Sequence, residues 1–240
     1  MNVSISLAGC GLMLELRYPE AARYFSRFSM SQEQADLPPV SVSELAFSDW
    51  ASAGNAIDGF AEFCLACQPC SEALMESDRC VFHAAALRYR DRAFLLAARS
   101  GEGKSTHLRR LLEREAEGYS VINGDKPVLE LRDGACWVHP SPWTGKEGYH
   151  GAASARLGGI FFVFRDQEDL VRPMTEKEAS FFAYPNVFQS FRDETVIRRA
   201  GAFTEKLLKS APSYLFKTND IEASSALLHE AIKEAASHDL

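Results

Sequence analysis

Lys104 and Ser105 stand directly behind two closely spaced glycines in Ala98-Arg99-Ser100-Gly101-Glu102-Gly103-Lys104-Ser105-Thr106. The apolar run Ala93-Phe94-Leu95-Leu96-Ala97 precedes them, and a helix-forming stretch from Thr106 to Glu113 follows. Buried strand, glycine-rich turn and helix, in that order, is the setting of a phosphate-binding loop. Glycines there allow backbone angles and close approaches that a Cβ would forbid. The N–H groups they expose, with the helix N-terminus behind them, form a positive cradle for phosphate oxygens. The pattern predicts that Ser100, Gly101, Glu102, Gly103, Lys104, Ser105 and Thr106 bind a nucleotide. Lys104 would reach the β- and γ-phosphates, and the Ser105 hydroxyl would hold Mg²⁺. Ala98 replaces the first glycine of the pattern and is its smallest substitute. The Lys104 ammonium is expected to face solvent while the loop is empty.

Such a site needs a carboxylate for the metal, usually from the end of a neighbouring strand. Asp125 fits, because the short strand Tyr119-Ser120-Val121-Ile122 ends in Asn123-Gly124-Asp125-Lys126-Pro127. The plainer alternative is a turn aspartate favoured by Gly124. His83 lies in Val81 to Tyr89, read as one strand, on the face shared with Val81, Ala85, Leu87 and Tyr89. It is either a site residue or a satisfied core histidine. Trp143-Thr144-Gly145-Lys146-Glu147-Gly148-Tyr149 reads as a loop closing over phosphate or acceptor, with Lys146 neutralising charge during transfer.

The elements that must position these residues follow from periodicity. The strand through His83 and the strand before the glycines are separated by the tight turn Tyr89-Arg90-Asp91-Arg92, which predicts a hairpin. Arg132-Asp133-Gly134 joins a second hairpin between Val128-Leu131 and Ala135-Val138. Gly158 to Phe164 reads as a buried central strand. Thr175-Glu176-Lys177-Glu178 is a capping box opening a helix, and helices near 194–210 and 221–237 flank a strand at Tyr214-Lys217. Two hairpins imply a mixed sheet within an α/β fold. Residues 1–78 read as a small α+β module of their own, with strands at Val3-Leu7 and Leu12-Leu16 and a long helix over 57–76. Residues 79–240 form the P-loop domain.

With 46% hydrophobic and 25% charged residues, the 240-residue chain has the balance of a soluble globular protein. The net charge of −7 argues against nucleic acid or an anionic membrane as main partner. No apolar run approaches a membrane span, and the N-terminus lacks the pattern of a signal peptide, which predicts a cytoplasmic location. Six cysteines in such a chain are expected to be reduced. Cys64, Cys67 and Cys70 have the spacing of half a metal or iron–sulfur motif, with Cys80 nearest as fourth ligand, but they also suit the buried face of a helix.

Taken in order, Phe82-His83-Ala84-Ala85, Ser100 to His107, Asn123 to Pro127 and Pro142-Trp143-Thr144-Gly145-Lys146 resemble the HPr kinase/phosphatase-related kinases. These belong to the phosphoenolpyruvate-carboxykinase-like P-loop folds. The likeness runs over roughly residues 80–235 and is greatest to bacterial HPr-kinase-like proteins, some of them encoded beside peptide-modifying enzymes. It implies a mixed-sheet core of that type, ATP and Mg²⁺ as cofactors, and transfer of the γ-phosphoryl to a hydroxyl, typically a serine of a protein or peptide. It places His83 beside the catalytic acid and matches Asp125 to the second of two adjacent acids between metal and acceptor. The first of those acids is Gly124 here. A later acidic motif that helps hold metal has Glu147 as its one candidate, and the phosphatase-associated segment has no match. A small-molecule kinase, or a nucleotide-binding regulator without transfer activity, are the alternatives.

Overall fold

In the computed structural model, which describes residues 1–31, 35–99 and 101–237, the N-terminal alternation folds as a hairpin. Strand β1 (Asn2–Leu7) pairs antiparallel with β2 (Cys10–Glu15). Short turns around α1 (Ala22–Phe25) and three helices, α2 (Glu44–Ser52), α3 (Gly59–Leu65) and α4 (Cys67–Leu74), complete the region. The single helix expected over 57–76 is therefore two. Pro69 explains the break: it cannot donate to the Leu65 carbonyl, and its ring crowds that carbonyl.

The rest of the chain builds a nine-stranded mixed sheet in the order β3-β7-β8-β9-β5-β4-β6, with β11 beside β9 and β10 beside β11. These strands are β3 (Arg79–Val81), β4 (Ala85–Tyr89), β5 (Arg92–Ala97), β6 (Tyr119–Asn123), β7 (Val128–Arg132), β8 (Ala135–His139), β9 (Ala155–Arg165), β10 (Leu170–Pro173) and β11 (Ser213–Thr218). Both expected hairpins form, β4 with β5 and β7 with β8. Strand β9 is central: β5 runs parallel along one edge, while β8 and then β11 share the other.

The stretch expected as one strand from Val81 to Tyr89 is broken at Phe82-His83-Ala84. Its two halves join strands five places apart in the sheet, since β3 pairs with β7 and β4 with β5 and β6. Five strand spacings across a flat sheet come to roughly 24 Å. The chain from Val81 to Ala85 reaches at most about 14 Å, and that from Asn123 on β6 to Val128 on β7 about 18 Å. Both connections are too short for a flat sheet, so the sheet must curl until its ends meet. There the connections bond to each other: the Phe82 N–H donates to the Pro127 carbonyl and the Ala84 N–H to the Asp125 carbonyl, each at 3.0 Å.

Both faces of the sheet are covered, which is why β9 is continuously apolar. Ile160 and Phe162 pack in one core with α6 (Glu176–Ala183) and α7 (Glu194–Ser210). Phe161 and Val163 pack in another with α5 (Lys104–Leu112) and α8 (Ile221–Ser237). The predicted capping box forms, with Thr175 and Glu178 exchanging side-chain and backbone bonds. Among the described residues no helix is long and apolar enough to cross a membrane.

A third core joins the N-terminal strands to Val81, Val128 and Trp143. Trp143 is buried, stacks on Phe63, meets Phe25 edge-on, and donates its indole N–H to the Phe63 carbonyl at 2.8 Å. It pins the 143–149 loop to the N-terminal region. Trp143→Ala should lower unfolding free energy by about 3–5 kcal/mol in urea denaturation. A change within about 0.5 kcal/mol, the ordinary surface value, would show that this anchor carries no packing.

Candidate functional site

The ends of three neighbouring strands, β5, β4 and β6, deliver three side chains to one point. Lys104 begins α5 just beyond β5, Asp125 lies on the connection leaving β6, and His83 lies on the connection entering β4. The Lys104 ammonium is 2.8 Å from Asp125 Oδ1 and 2.8 Å from His83 Nε2. An ammonium can only donate, so Nε2 accepts and the imidazole proton sits on Nδ1. His83 Nε2 lies 3.3 Å from the same Asp125 oxygen. His83 is thus a site neighbour, not a core histidine, because the break in its strand turns it out of the sheet. The expectation of a solvent-facing Lys104 is also overturned: only 9% of the residue is exposed, and the carboxylate of Asp125 draws the ammonium inward.

Asp125 is the electrostatic centre. Lys126 Nζ pairs with its other oxygen, Oδ2, and lies over the Phe188 ring. Burial alone would raise the Asp125 carboxyl, but the Lys104 and Lys126 ammonium groups outweigh it and hold the group far below the ordinary carboxylate range. Burial draws the Lys104 ammonium below its ordinary value, and Asp125 opposes that pull. Asn123 fixes the turn. Its Oδ1 accepts the N–H groups of Asp125 (2.9 Å) and Lys126 (2.7 Å), and its amide donates to Ser141. The sequence motifs give Asn123 and Lys126 no individual role. The Asx turn is legible in Asn-Gly-Asp, whereas Lys126 looks like any surface lysine.

Gly101 and Gly103 hold φ of 89° and 98°, the left-handed region where glycine is favoured, and so let the turn fold over the start of α5. Gly124 is required for a different reason. A Cβ there would stand 2.6 Å from the Thr144 carbonyl oxygen, so this backbone has no room for an acid at that position. The single acid, Asp125, is a consequence of how tightly the 143–149 loop is packed.

A cleft of about 500 Å³ opens over these groups, lined by His83, Gly101, Gly103, Lys104, Ser105, Thr106 and Asp125 on one side and by Gly145, Lys146 and Glu147 on the other. Arg99 and Arg165 add positive charge at its rim. Lys146 is exposed and lines the cleft, whereas Trp143 turns from it into the N-terminal core. The Glu102 carboxylate accepts the Arg165 N–H at 2.7 Å and does not line this cleft. Ser100 lies outside the described residues.

Hard oxygen donors, one carboxylate and hydroxyls such as Ser105, suit Mg²⁺, which keeps water and phosphate oxygens as most of its ligands. The donor set therefore fits that ion when it arrives with a nucleotide. Among the described residues no group of three or more His, Cys, Asp or Glu side chains stands together as a ligand set. Cys67 and Cys70 are fully buried, and burial pushes their thiols up. Cys80 lies beside Cys136 instead.

No protein-family model matches the chain, and no curated protein matches it in sequence. Among solved structures, the HPr(Ser) kinase/phosphatase from Coxiella burnetii is similar at a TM-score of 0.42 and 11% identity, over 65% of this chain and 90% of that one.

His107, one turn into α5, supports the loop from below. Its ring is buried between the Ser225 hydroxyl (3.0 Å) and the Thr218 hydroxyl (3.1 Å). Burial pushes it down to about 4, against a small opposing pull from Asp169. The folded state keeps this imidazole neutral while the unfolded chain protonates it near the ordinary value of about 6.5. Above that pH the two states do not differ; below it the unfolded state binds the extra proton, and stability falls until about pH 4. Urea midpoints should show up to about 3 kcal/mol lost over this window, and His107→Gln should flatten the dependence. Identical pH profiles for the two proteins would contradict this role.

Proposed function

We propose that the chain is an ATP- and Mg²⁺-dependent kinase that moves the γ-phosphoryl group to a hydroxyl, that of a serine in a protein or peptide. The observation that carries this reading is the meeting of Lys104, Asp125 and His83 at the floor of the cleft, against a glycine-rich turn. The resemblance of the four sequence motifs to HPr-kinase-related kinases supports it. We further propose that residues 1–78 form a module whose part is to hold the 143–149 loop against the site.

In this reading Lys104 and the turn's N–H groups bind the β- and γ-phosphates, and Lys146 meets charge from the opposite wall. Ser105 and Asp125 hold Mg²⁺, which when bound neutralises charge on the phosphates. The bond from phosphorus to the β,γ-bridging oxygen breaks, a bond from phosphorus to the acceptor oxygen forms, and ADP departs. The acceptor proton needs a destination. A carboxylate held as low as that of Asp125 takes a proton poorly, so Asp125 orients the hydroxyl. His83 Nε2, released when the polyphosphate draws Lys104 away, is the base at hand. The loose transition state of phosphoryl transfer asks little of that base and much of the charges around it.

One observation favours transfer-free nucleotide binding as a second reading: the backbone at Gly124 admits no second acid. Lys104→Ala separates the two. The variant should stay folded by circular dichroism, because Asp125 keeps Lys126 as its counter-ion. With labelled ATP, Mg²⁺ and serine peptides or cell extract as acceptors, the wild-type chain should transfer label. The variant should bind ATP more weakly and transfer at most about a hundredth as fast, the scale of losing one charge-stabilising donor. Transfer at the wild-type rate in the variant overturns the reading, and ATP binding without any transfer by the wild-type chain decides for the second.

A further inference from the structure

Away from the cleft, three neighbouring strands carry a second set of side chains in hydrogen-bonded series. Glu130 lies on β7, His139 ends β8, and Ser154 stands immediately before β9. Register explains their meeting. Glu130 pairs with Trp137, so His139, two residues on, sits diagonally across from it on the same face. Val138 pairs with Ala155, and the next step of that antiparallel register sets Ser154 opposite His139. His139 Nε2 is 3.0 Å from Glu130 Oε2, and His139 Nδ1 is 2.8 Å from Ser154 Oγ. The cleft over Lys104 is lined by other residues.

The carboxylate is the fixed end of the series. Glu130 is buried, and its Oε1 accepts from the Arg79 guanidinium at 2.5 Å. Arg79 is itself held by the Ala8 and Ser77 carbonyls at 2.9 and 2.7 Å. A carboxylate in such an ion pair only accepts, so the His139 proton sits on Nε2 and the Nδ1 lone pair faces the Ser154 hydroxyl. Burial draws His139 below its ordinary value; Glu130 opposes that pull, while Arg79 and Arg132 add to it. The imidazole is therefore neutral at pH 7 and able to take a proton. A hydroxyl within hydrogen-bond reach of a base, itself oriented by a third group, is the arrangement that activates a nucleophile. In serine hydrolases Nε2 takes the proton and Nδ1 faces the acid. Here the two nitrogens exchange parts, which either can play because each carries the lone pair in one neutral tautomer.

We propose that Ser154 is a nucleophile, with His139 as its general base and Glu130 as the positioning residue, and that this centre cleaves activated acyl esters and thioesters. Ser154 is exposed beside the small, exposed Ala152 and Ala153, so an acyl carbon reaches Oγ from solvent. Oγ bonds to the carbonyl carbon as its proton passes to His139 Nδ1. The carbon–oxygen or carbon–sulfur bond to the leaving group breaks, and the alcohol or thiol departs with that proton. Water then repeats the sequence on the acyl-serine and releases the acid. None of this depends on the kinase reading.

Treatment of the full chain with a fluorophosphonate tests the nucleophile directly: phosphorus bonds to Oγ, fluoride leaves, and an ordinary serine without a base stays inert. Peptide mass spectrometry should place the adduct on Ser154, and p-nitrophenyl acetate should be hydrolysed. Ser154→Ala, a change at an exposed position, should lose both. His139→Gln should slow labelling about a hundredfold or more, the scale of general-base catalysis. Wild-type labelling should rise with pH as His139 loses its proton and then level off. Arg79 on β3 and Glu130 and Arg132 on β7 are the charges that act on this imidazole. Glu130→Gln removes the one that supports the imidazolium, so the midpoint should move to lower pH as the rate falls. A slower rate with an unmoved midpoint overturns the positioning role of Glu130. An unlabelled Ser154, ester hydrolysis unchanged in Ser154→Ala, or equal labelling of wild type and His139→Gln overturns the centre as a whole.

Discussion

Two connections, residues 82–84 and 124–127, are too short to cross the sheet they join, and most of the architecture follows from that constraint. The sheet has to curl until β6 approaches β7 and β3 approaches β4. Where the ends meet, the two connections bond to each other by backbone N–H groups. His83 and Asp125 ride on those connections, and β5 ends close by with its glycine-rich turn and Lys104. Lys104, His83 and Asp125 come from the ends of the neighbouring strands β5, β4 and β6, and closure brings β3 and β7 up beside them.

Closure also buries charge, and the molecule answers by pairing it internally. Asp125 is held from one side by Lys104 and from the other by Lys126, with His83 accepting from the Lys104 ammonium. At 2.8 Å and an effective dielectric constant near 20, the Lys104 contact alone is worth about 6 kcal/mol of gross attraction, before desolvation is subtracted. A dissolved divalent cation approaching Asp125 meets two ammonium groups. On the proposed reading a polyphosphate would do the opposite: it would attract Lys104, uncover the carboxylate and bring its own metal. The pairing of Asp125 with Lys104 and Lys126 is balanced within the chain, and on that reading an anionic ligand would release it.

Much of this was legible in the sequence, and the failures have physical causes. The hairpins about Asp91 and Gly134, the apolar β9 and the capping box at Thr175 declare themselves through local chemistry, and each forms. The glycine-rich turn and Asp125 could be singled out because their spacing around strands and helices is informative. The break at His83 could not, because Val81 to Tyr89 alternates well enough to be one strand and only its long-range partners split it. The inward position of Lys104 was missed for the same reason, since Asp125 lies on a different strand connection. Trp143 looked like a site aromatic and is a pillar of the N-terminal core, a role set by Phe25 and Phe63, far away in sequence.

Lys104 and Lys126 hold the charge of Asp125, and on the proposed reading a polyphosphate would displace the first of them. Calorimetric titration of the full chain with Mg²⁺ alone, and then with ATP in Mg²⁺ or in EDTA, tests it most directly. The chain should show no saturable Mg²⁺ binding below millimolar concentrations in the absence of nucleotide, and saturable ATP binding that is tighter with Mg²⁺ than with EDTA. Tight Mg²⁺ binding to the nucleotide-free chain that is lost in Asp125→Asn, or ATP binding indifferent to Mg²⁺, would contradict it.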